Sequence, residues 1–434
     1  MPEPIDVTEQ MRRDWNERAR EDAHFYVAFG QRDQADEDFF ATGKEVVAGL
    51  EWDLRRFPTR ANRRAWRALE IGCGPGRLMK PMSRHFGEIH GVDVSDEMIA
   101  KARVNLAGIP HAHPHATSGA DLKLFADDSF DFVYSYAVFQ HIPSRDVVMS
   151  YLREAHRVLK PGGLLRCQIN GLDKTAKTYD TWSGVRIGAD EVHDYALMHD
   201  MQLLALEGVR TQYMWTTMRK RAPGWRDQPA TGIARVRRIT NAHNSEPVVP
   251  ARGRFASFTV WLENLPADCD LIGLQALVGG SPATPCYIGP PETDGLQQMN
   301  VLLGDVSQTG ILPLEVLWNE RPICEPASLR VIPPGPAVPH LLSVTDGINM
   351  LLGQRVTSGC VKVTIEEAIY PFDFRATIGG KEVLNVDVFC ADPLPPRHEI
   401  NFDLPRDLTP GSHELRLHVA KRVFGPFPIE VAFQ

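Results

Sequence analysis

The sequence predicts a multidomain protein in which an α/β domain with a doubly wound parallel sheet precedes two tandem all-β sandwiches. Helical and strand patterns alternate over residues 1–222, which is typical of a parallel sheet covered by helices. From Ala251 onward helical patterns nearly vanish, and short β-rich runs are separated by prolines. This texture indicates antiparallel sandwiches. An internal repeat in the second half of the chain supports two copies of such a unit.

The repeat keeps the order of its segments at an offset of 100 to 101 residues. The matching pairs are residues 276–280 (ALVGG) with 376–380 (ATIGG), 296–305 with 397–406, and 308–318 with 409–419. A proline-rich joint, Ile332–Pro339, separates the two copies. The predicted division is therefore the α/β domain with an N-terminal helical cap at 1–222, a linker at 223–248, and sandwiches at 249–335 and 336–434.

Composition excludes several classes of protein. The 434 residues are 43% hydrophobic and carry a formal net charge of −8, which argues against a nucleic-acid-binding or anionic-membrane-binding surface. No apolar run is long enough to span a bilayer, and the N-terminus lacks the apolar core of a secretory signal. The seven cysteines form no C-x-x-C pair. We expect reduced thiols, a cytoplasmic location and no metal site, since the HAHPH loop at 111–115 has no carboxylate or cysteine beside it.

A glycine-rich turn follows the first strand of the α/β domain, in the segment Ala68–Arg77 (ALEIGCGPGR). Gly72, Gly74 and Gly76 let the backbone approach a ligand closely, because no Cβ stands in the way. The helix that follows directs its free N–H groups toward the turn. Asp93 lies 21 residues beyond Gly72 (93 − 72), at the tip of the next strand. A doubly wound sheet places there the acid that binds the two hydroxyls of a ribose.

The glycine spacing separates two families of nucleotide-binding protein. A dinucleotide fingerprint, G-x-G-x-x-G, would place its third glycine at position 77, where Arg77 stands, and this disfavours an NAD-dependent oxidoreductase. The pattern E-x-G-x-G-x-G, with Glu70 two residues before Gly72, resembles motif I of the class I S-adenosylmethionine-dependent methyltransferases. The resemblance extends over roughly residues 10–222. It implies a Rossmann-like fold with S-adenosylmethionine as cofactor and S-adenosylhomocysteine as product.

The resemblance also implies which residues bind the cofactor. Asp93 would bind the ribose, and Val94 and Met98 would flank the adenine. The positions carried over from motif I are Glu70, Gly72, Cys73, Gly74, Gly76 and Arg77. The further positions are Ala120, Asp121 and Leu122 at the adenine edge, Ser135, Tyr136 and Ala137 facing the methionine part, and Tyr26 from the N-terminal helices. In the adenine-edge segment Ala120 separates Gly119 from the acid Asp121, so the backbone of Asp121 or Leu122 is an alternative to its side chain.

Methyl transfer to oxygen or nitrogen also requires removal of a proton from the acceptor. His141, in FQHIP just after the fourth strand, is the candidate base, because its ordinary pKa lies near neutrality. Gln140 is the candidate for orienting the acceptor by a hydrogen bond. The alternative for His141 is a structural histidine at a strand-to-loop junction.

The leading hypothesis is a methyltransferase that acts on an oxygen or nitrogen of a small-molecule or glycan acceptor. The first of the two sandwiches resembles the immunoglobulin-like IPT/TIG modules, and such modules favour a large or polymeric acceptor. Exposed strand edges in two consecutive sandwiches favour a homodimer. The alternative hypothesis is an interaction protein that binds the cofactor without transferring a methyl group, with the sandwiches binding a glycan or protein partner.

Overall fold

The computed structural model describes most of the chain. The described residues are 6–28, 32–58, 62–174, 179–227, 233–253, 255–304, 306, 308–334, 338–368, 370–392 and 397–432. Among them, no helix combines the length and the apolar character that crossing a bilayer requires.

The α/β domain is built on a mixed sheet in the order β3-β2-β1-β4-β5-β7-β6. Its strands are β1 (Arg67–Ile71), β2 (Glu88–Asp93), β3 (Ala112–Ala116), β4 (Phe130–Ser135), β5 (Leu159–Ile169), β6 (Met201–Glu207) and β7 (Met214–Lys220). Strands β1 to β5 pair in parallel, whereas β7 runs antiparallel between β5 and β6. The order reverses beside β1, and this switch point brings the carboxyl ends of β1 and β4 together. The predicted doubly wound α/β fold is confirmed.

Helices cover this sheet and its carboxyl edge. The α-helices are α1 (Val7–Ala28), α2 (Asp36–Ala41), α3 (Lys44–Asp53), α4 (Met79–Met82), α5 (Asp96–Asn105), α6 (Arg145–Val158) and α7 (Ala189–Met198). Short 3₁₀ turns occupy Leu54–Arg56, Arg63–Ala65, Ser83–His85, Phe139–His141, Trp225–Asp227, Met350–Leu352 and Pro371–Asp373. The His111–His115 segment, predicted as a loop, forms most of edge strand β3, because it pairs in parallel with β2.

Helix α1 lies over the carboxyl edge of the sheet and is kinked at Asp22, whose φ and ψ are −163° and 91°. The Asp22 carboxylate accepts the backbone N–H of Phe25 at 3.0 Å, so it caps the second half of the helix. The first half is fixed to α5, because the Asn16 side-chain oxygen accepts from Ser95 Oγ at 2.7 Å and from Glu97 N at 3.1 Å. The predicted N-terminal cap therefore packs directly on the element that follows β2.

The first β unit is fused to the α/β domain. Its strands are β8 (Arg235–Asn241), β9 (Val248–Pro250), β10 (Ser257–Glu263), β11 (Leu274–Val278), β12 (Ser281–Pro291), β13 (Leu296–Leu302), β14 (Gly310–Trp318), β15 (Arg321–Pro322) and β16 (Ala327–Ile332). Strand β12 pairs with β6 at Tyr287 and Ala205, which extends the sheet from one unit into the next. The Arg56 guanidinium donates to the Ile288 carbonyl at 2.6 Å across the same junction.

The predicted linker at 223–248 needs correction. Residues 235–241 form β8, which pairs antiparallel with β10. Asn241 pairs with Phe258 at one end of the ladder, and Arg235 pairs with Glu263 at the other. The first β unit therefore begins before residue 249. The arginine-rich stretch was misleading, because all residues of β8 except Asn241 are exposed or half-buried at the edge of its sheet, and the strand therefore lacks a continuous apolar run.

The second β unit consists of two sheets, β17-β19-β23-β22 and β18-β25-β24-β20-β21, that share one buried core. Its strands are β17 (His340–Asp346), β18 (Arg355–Val356), β19 (Cys360–Glu366), β20 (Phe374–Ile378), β21 (Lys381–Glu382), β22 (Leu384–Asp392), β23 (Arg397–Asp403), β24 (Gly411–Val419) and β25 (Arg422–Val431). Both sheets are apolar on the inner face, with Val363 and Ile400 from one sheet and Leu415 and Ile429 from the other fully buried.

The internal repeat extends to strand pairing. Ala276 pairs with Val316 in the first unit, and Ala376 pairs with Leu417 at the same place in the second. The hairpin glycines also match, since Gly279 and Gly379 both have φ of +56°. The two units therefore share one topology, in which β10 corresponds to β19 and β13 corresponds to β23.

Candidate active site

The glycine turn has a backbone that only glycine adopts easily. Gly72 has φ of +72°, and a Cβ placed on it would lie 2.2 Å from Val138 Cγ2. Its N–H donates to the Val92 carbonyl at 2.8 Å, and the Cys73 N–H donates to the same oxygen at 3.0 Å. The turn is therefore held against β2 while the loop after β4 closes over it.

Asp93 connects the glycine turn to the helix after β2. One carboxylate oxygen accepts the Gly74 N–H and the other accepts the Ser95 N–H, both at 2.9 Å. Ser95 then caps α5, because its hydroxyl accepts the Met98 N–H at 3.1 Å. Burial raises the pKa of Asp93, while the backbone N–H donors oppose that rise. Each oxygen keeps lone-pair capacity for a further donor.

Glu70 and Arg77 are buried ionisable residues behind the turn. Tyr134 donates its hydroxyl to Glu70 Oε2 at 3.0 Å, and burial raises the pKa of Glu70 to about 8. The Arg77 guanidinium donates to Thr42 Oγ1 at 3.0 Å, but its buried Nε has no hydrogen-bond partner among the described residues. Buried donors without a hydrogen-bond partner are rare in folded proteins, so this N–H is a candidate donor to a polar group of a bound ligand.

The end of β4 supplies one wall. Ser135 turns into the sheet, because its hydroxyl donates to the Ile71 carbonyl at 2.9 Å. Tyr136 stacks on Trp215 with ring centroids 5.4 Å apart and planes 4° apart. Ala137 has φ of +56°, an uncommon value for a residue with a side chain, and its N–H donates to Gln168 Oε1 at 3.0 Å. Such a strained residue beside a cavity is typical of a functional site.

These elements enclose a pocket, called the main pocket below, of about 830 Å³ with its open mouth included. That volume lies within the range of about 300–1,000 Å³ that small-molecule sites occupy. The predicted residues that line it are Tyr26, Glu70, Gly72, Cys73, Gly74, Arg77, Asp93, Val94, Met98, Tyr136, Ala137 and His141. The structure thus brings together residues predicted from four separate stretches of sequence.

The predicted adenine-edge residues lie outside the lining of the main pocket. Leu122 is fully buried, and its N–H already donates to Glu154 Oε2 at 3.0 Å. Asp121 accepts the Lys123 N–H at 3.2 Å and pairs with the same lysine, while Ala120 lies beside it. The carry-over to these three positions needs correction, because none of them lines the main pocket and the Leu122 N–H is taken by Glu154.

Three other predicted residues also support the lining without joining it. Gly76 faces helix α5, where a Cβ would lie 3.2 Å from Leu106 Cδ1, so its role is close packing. Ser135 is held by its bond to the Ile71 carbonyl. Gln140 lies behind the neighbouring His141.

Sequence reasoning missed much of the apolar lining. The missed residues are Met11, Trp15, Val27, Leu78, Val138, Ile142 and Tyr151. Met11 and Trp15 are four residues apart on α1, and this spacing is the one signal that would have placed them on a common face. Tyr26 lies among them as predicted, with its hydroxyl donating to Glu21 Oε2 at 2.7 Å.

His141 and Gln140 belong to a chain of buried side chains. His141 Nδ1 lies 3.0 Å from the Trp182 carbonyl, and its Nε2 lies 3.1 Å from Gln140 Nε2. Gln140 Oε1 in turn accepts from Gln168 Nε2 at 3.0 Å. The chain is satisfied when Nδ1 carries the proton and Nε2 accepts from the glutamine. Burial lowers the pKa of His141 to about 4, so the predicted role as a base loses support.

Comparison with known proteins adds an assignment for this part of the chain. Residues 69–167 match the family model described as a methyltransferase domain. The match runs from β1 to β5, and so it includes the glycine turn and Asp93. It confirms the predicted cofactor, S-adenosylmethionine, with S-adenosylhomocysteine as the product.

The curated relatives are similar over a limited stretch. The ubiquinone biosynthesis O-methyltransferase of Ruegeria pomeroyi is 35% identical over 115 residues, which is 26% of this chain and 44% of that protein. The enzyme of the same name from Sinorhizobium fredii is 36% identical over 99 residues, which is 23% of this chain and 39% of that protein. The chain therefore spans less than half the length of these relatives.

Solved structures are similar to part of the chain. An S-adenosylmethionine-dependent methyltransferase from Mesorhizobium loti is 18% identical, with a TM-score of 0.31, and covers 40% of this chain and 99% of that one. A phosphoethanolamine N-methyltransferase from Haemonchus contortus, solved with phosphoethanolamine and S-adenosylhomocysteine, is 15% identical with a TM-score of 0.37 and covers 50% of each chain.

Proposed function

We propose that this protein is an S-adenosylmethionine-dependent methyltransferase that acts on an oxygen or nitrogen atom of a small-molecule or glycan acceptor. The observation that carries the proposal is the position of Asp93. Its carboxylate joins the glycine turn to the N-terminus of α5 and lines the main pocket at the carboxyl edge of a doubly wound sheet. This arrangement is the one in which such sheets bind a ribose.

The residues of the main pocket fit the cofactor. Asp93 accepts the ribose hydroxyls, and the apolar side chains of Val94 and Met98 suit the adenine. The Asp93 carboxylate favours a cationic ligand, while Glu70, whose pKa burial raises to about 8, offers a largely protonated carboxyl group, and the buried Nε–H of Arg77 is free of partners within the described part of the chain. The bound cofactor supplies a methyl group already activated by its sulfonium. The protein therefore contributes chiefly by positioning and by excluding water.

The acceptor belongs to the open side of the main pocket, where Tyr136 and His141 form part of the lining. The names of the curated relatives, which are O-methyltransferases of ubiquinone biosynthesis, support an oxygen atom of a small molecule. The two β units support a larger, glycan acceptor, because a second-unit sheet lines a cavity that also includes Gln140, the neighbour of His141.

His141 and Gln140 set the geometry of that opening in our proposal. Because both nitrogens of His141 are engaged, the imidazole fixes the Trp182 loop relative to the loop after β4. Gln140 links the same imidazole to Gln168, which holds the backbone of Ala137. We assign both residues as positioning residues, with proton loss from the acceptor left to solvent or to the acceptor's own acidity.

We also propose that the two β units are immunoglobulin-like modules, on the basis of their shared two-sheet topology. A cytoplasmic location is supported by the seven cysteines, which are all free thiols. Homodimer formation through exposed sheet edges stays a prediction.

The direct test is calorimetric titration of the full-length protein with S-adenosylmethionine and S-adenosylhomocysteine. We expect micromolar binding of both, followed by release of S-adenosylhomocysteine when an acceptor panel of catechols, amines and methyl glycosides is supplied. Absence of binding by the folded wild-type protein would refute the proposal, and NAD(H) binding in its place would favour the oxidoreductase that Arg77 disfavours.

A further inference from the structure

A second cavity lies between the α/β domain and the second β unit. We call it the outer cleft, and it encloses about 1,710 Å³ with its open mouth included. One side comes from the loops after β5 and β6, with Asn170, Trp182 and Gln212. The other side comes from β22 and β23 of the second β unit, with Phe389 and Asn401. The cleft therefore exists only because both parts of the chain contribute a wall.

The outer cleft begins where the main pocket ends. Gln140 lines the cleft and His141 lines the main pocket, and their side-chain nitrogens are 3.1 Å apart. Trp182 also lines the cleft, and its ring centroid lies 6.3 Å from that of His141 and 6.2 Å from that of Tyr26. A ligand in the cleft would thus be one side chain away from the pocket that contains Asp93.

The side chains of the cleft are suited to a neutral ligand with many hydroxyl groups. Amides line both walls, and each amide offers a donor and an acceptor, as hydroxyl groups require. Aromatic rings on both walls, Trp182 and Phe389, offer apolar faces to the C–H groups of a sugar ring. Two arginines, Arg186 and Arg210, are balanced by two aspartates, Asp173 and Asp387, so the lining has no net formal charge with histidine neutral.

The internal repeat supplies a control for one of these amides. Asn300 in the first unit occupies the position of Asn401 in the second. Asn300 pairs with Thr259 of β10, and Asn401 pairs with Lys362 of the corresponding strand β19. The Asn300 side-chain oxygen accepts from Thr259 Oγ1 and from Gln298 Nε2, both at 2.8 Å. The equivalent oxygen of Asn401 is buried and has no hydrogen-bond partner among the described residues.

The reason for the difference is a pair of substitutions between the repeats. Lys362 and Glu399 stand where the first unit has Thr259 and Gln298, and they bind each other at 2.9 Å instead of binding Asn401. Arg186, on the opposite wall, likewise has a buried Nε without a partner, although its Nη1 donates to the Asp173 carbonyl at 2.5 Å. An acceptor and a donor on facing walls are thus both buried and without a partner in the described part of the chain, and buried polar groups of this kind normally have one.

We propose that the outer cleft binds a carbohydrate acceptor, with the second β unit forming half of the binding surface, while the atom that receives the methyl group reaches the open side of the main pocket. The inference rests on the proposed methyltransferase function and names its acceptor class. The Asn401 oxygen accepts a sugar hydroxyl, the Arg186 Nε–H donates to a sugar oxygen, and Trp182 and Phe389 pack against the ring.

The test uses the full-length protein saturated with S-adenosylhomocysteine. Saturation-transfer difference NMR is recorded with the methyl glycosides of glucose, galactose, mannose, rhamnose and fucose. We expect saturation transfer from the protein to at least one glycoside, both with the wild-type protein and with Asn300→Ala. We expect Asn401→Ala and Phe389→Ala each to weaken binding of that glycoside about tenfold, because each removes one contact. The affinity for S-adenosylhomocysteine should be unchanged.

The outcomes separate the inference from the function on which it rests. If the protein binds S-adenosylhomocysteine but none of the five glycosides, or binds a glycoside equally well in both cleft variants, the carbohydrate site is refuted and the methyltransferase stands. Methyl transfer to 3,4-dihydroxybenzoate at rates independent of Asn401 and Phe389 would also refute it. If the wild-type protein fails to bind S-adenosylhomocysteine, the function itself fails.

Discussion

Replacing Asp93 with asparagine exchanges one carboxylate oxygen for an NH₂ group. The two carboxylate oxygens accept hydrogen bonds from two backbone N–H groups. The Gly74 and Ser95 N–H groups each bind one oxygen at 2.9 Å. Asparagine has a single side-chain oxygen, so one of these donors would face an NH₂ group. A hydrogen bond to a charged group contributes about 1.5–3 kcal/mol, and the ribose hydroxyls lose such an acceptor. At 1.4 kcal/mol for each factor of ten, the dissociation constant of S-adenosylhomocysteine should rise about 10- to 150-fold.

The assay is calorimetric titration of S-adenosylhomocysteine into wild-type protein and Asp93→Asn, with thermal unfolding recorded for both. Asp131→Asn is the matched control, because Asp131 accepts the Arg67 N–H at 2.9 Å across the neighbouring strands and lies outside the lining of the main pocket. The control should lose stability and keep its affinity. Folded Asp93→Asn protein with affinity within twofold of wild type would refute the assignment of Asp93 to the cofactor.

Three further perturbations test the pocket. Gly72→Ala should cost about 2–4 kcal/mol in urea unfolding, from its positive φ and the 2.2 Å approach to Val138, whereas Gly108→Ala, with open space around it, should change stability by less than about 0.5 kcal/mol. Because burial raises the folded-state pKa of Glu70 to about 8, above its unfolded value, the free energy of unfolding should fall as pH rises from about 5 to 8, and Glu70→Gln should flatten that dependence. His141→Asn, which keeps a donor near the Trp182 carbonyl, should lower kcat less than tenfold with an unchanged pH–rate profile; a loss of about a hundredfold or more, together with loss of the acidic limb of the profile, would identify a base.

The parts of the site that the sequence predicted are those in which one residue type meets one local requirement. Gly72 is needed because its backbone has φ of +72° beneath Val138, and glycine alone meets that condition at no steric cost. Asp93 was found because a doubly wound sheet fixes the distance between the first two strand ends. The repeat was found because both copies keep the same hairpin glycines and strand spacing.

The errors arose where a residue's role depends on its neighbours. The adenine-edge prediction failed at Leu122 because Glu154, 32 residues away, takes its N–H. The base prediction for His141 could not include the Trp182 carbonyl, which lies 41 residues further along the chain. The linker prediction missed β8 because an edge strand has little buried surface and therefore no strong apolar pattern.

By itself the sequence determined the fold of the α/β domain, the glycine turn and the existence of two repeated β units. The first two depend on local backbone geometry and on short-range periodicity, and the third is visible because matching segments recur at an offset of 100 to 101 residues. Only the tertiary structure decided which apolar side chains close the main pocket, that the first β unit extends the same sheet through Tyr287 and Ala205, and that the second unit forms a wall of the outer cleft. Those outcomes depend on contacts between residues far apart in the chain, and the packing of whole units determines such contacts.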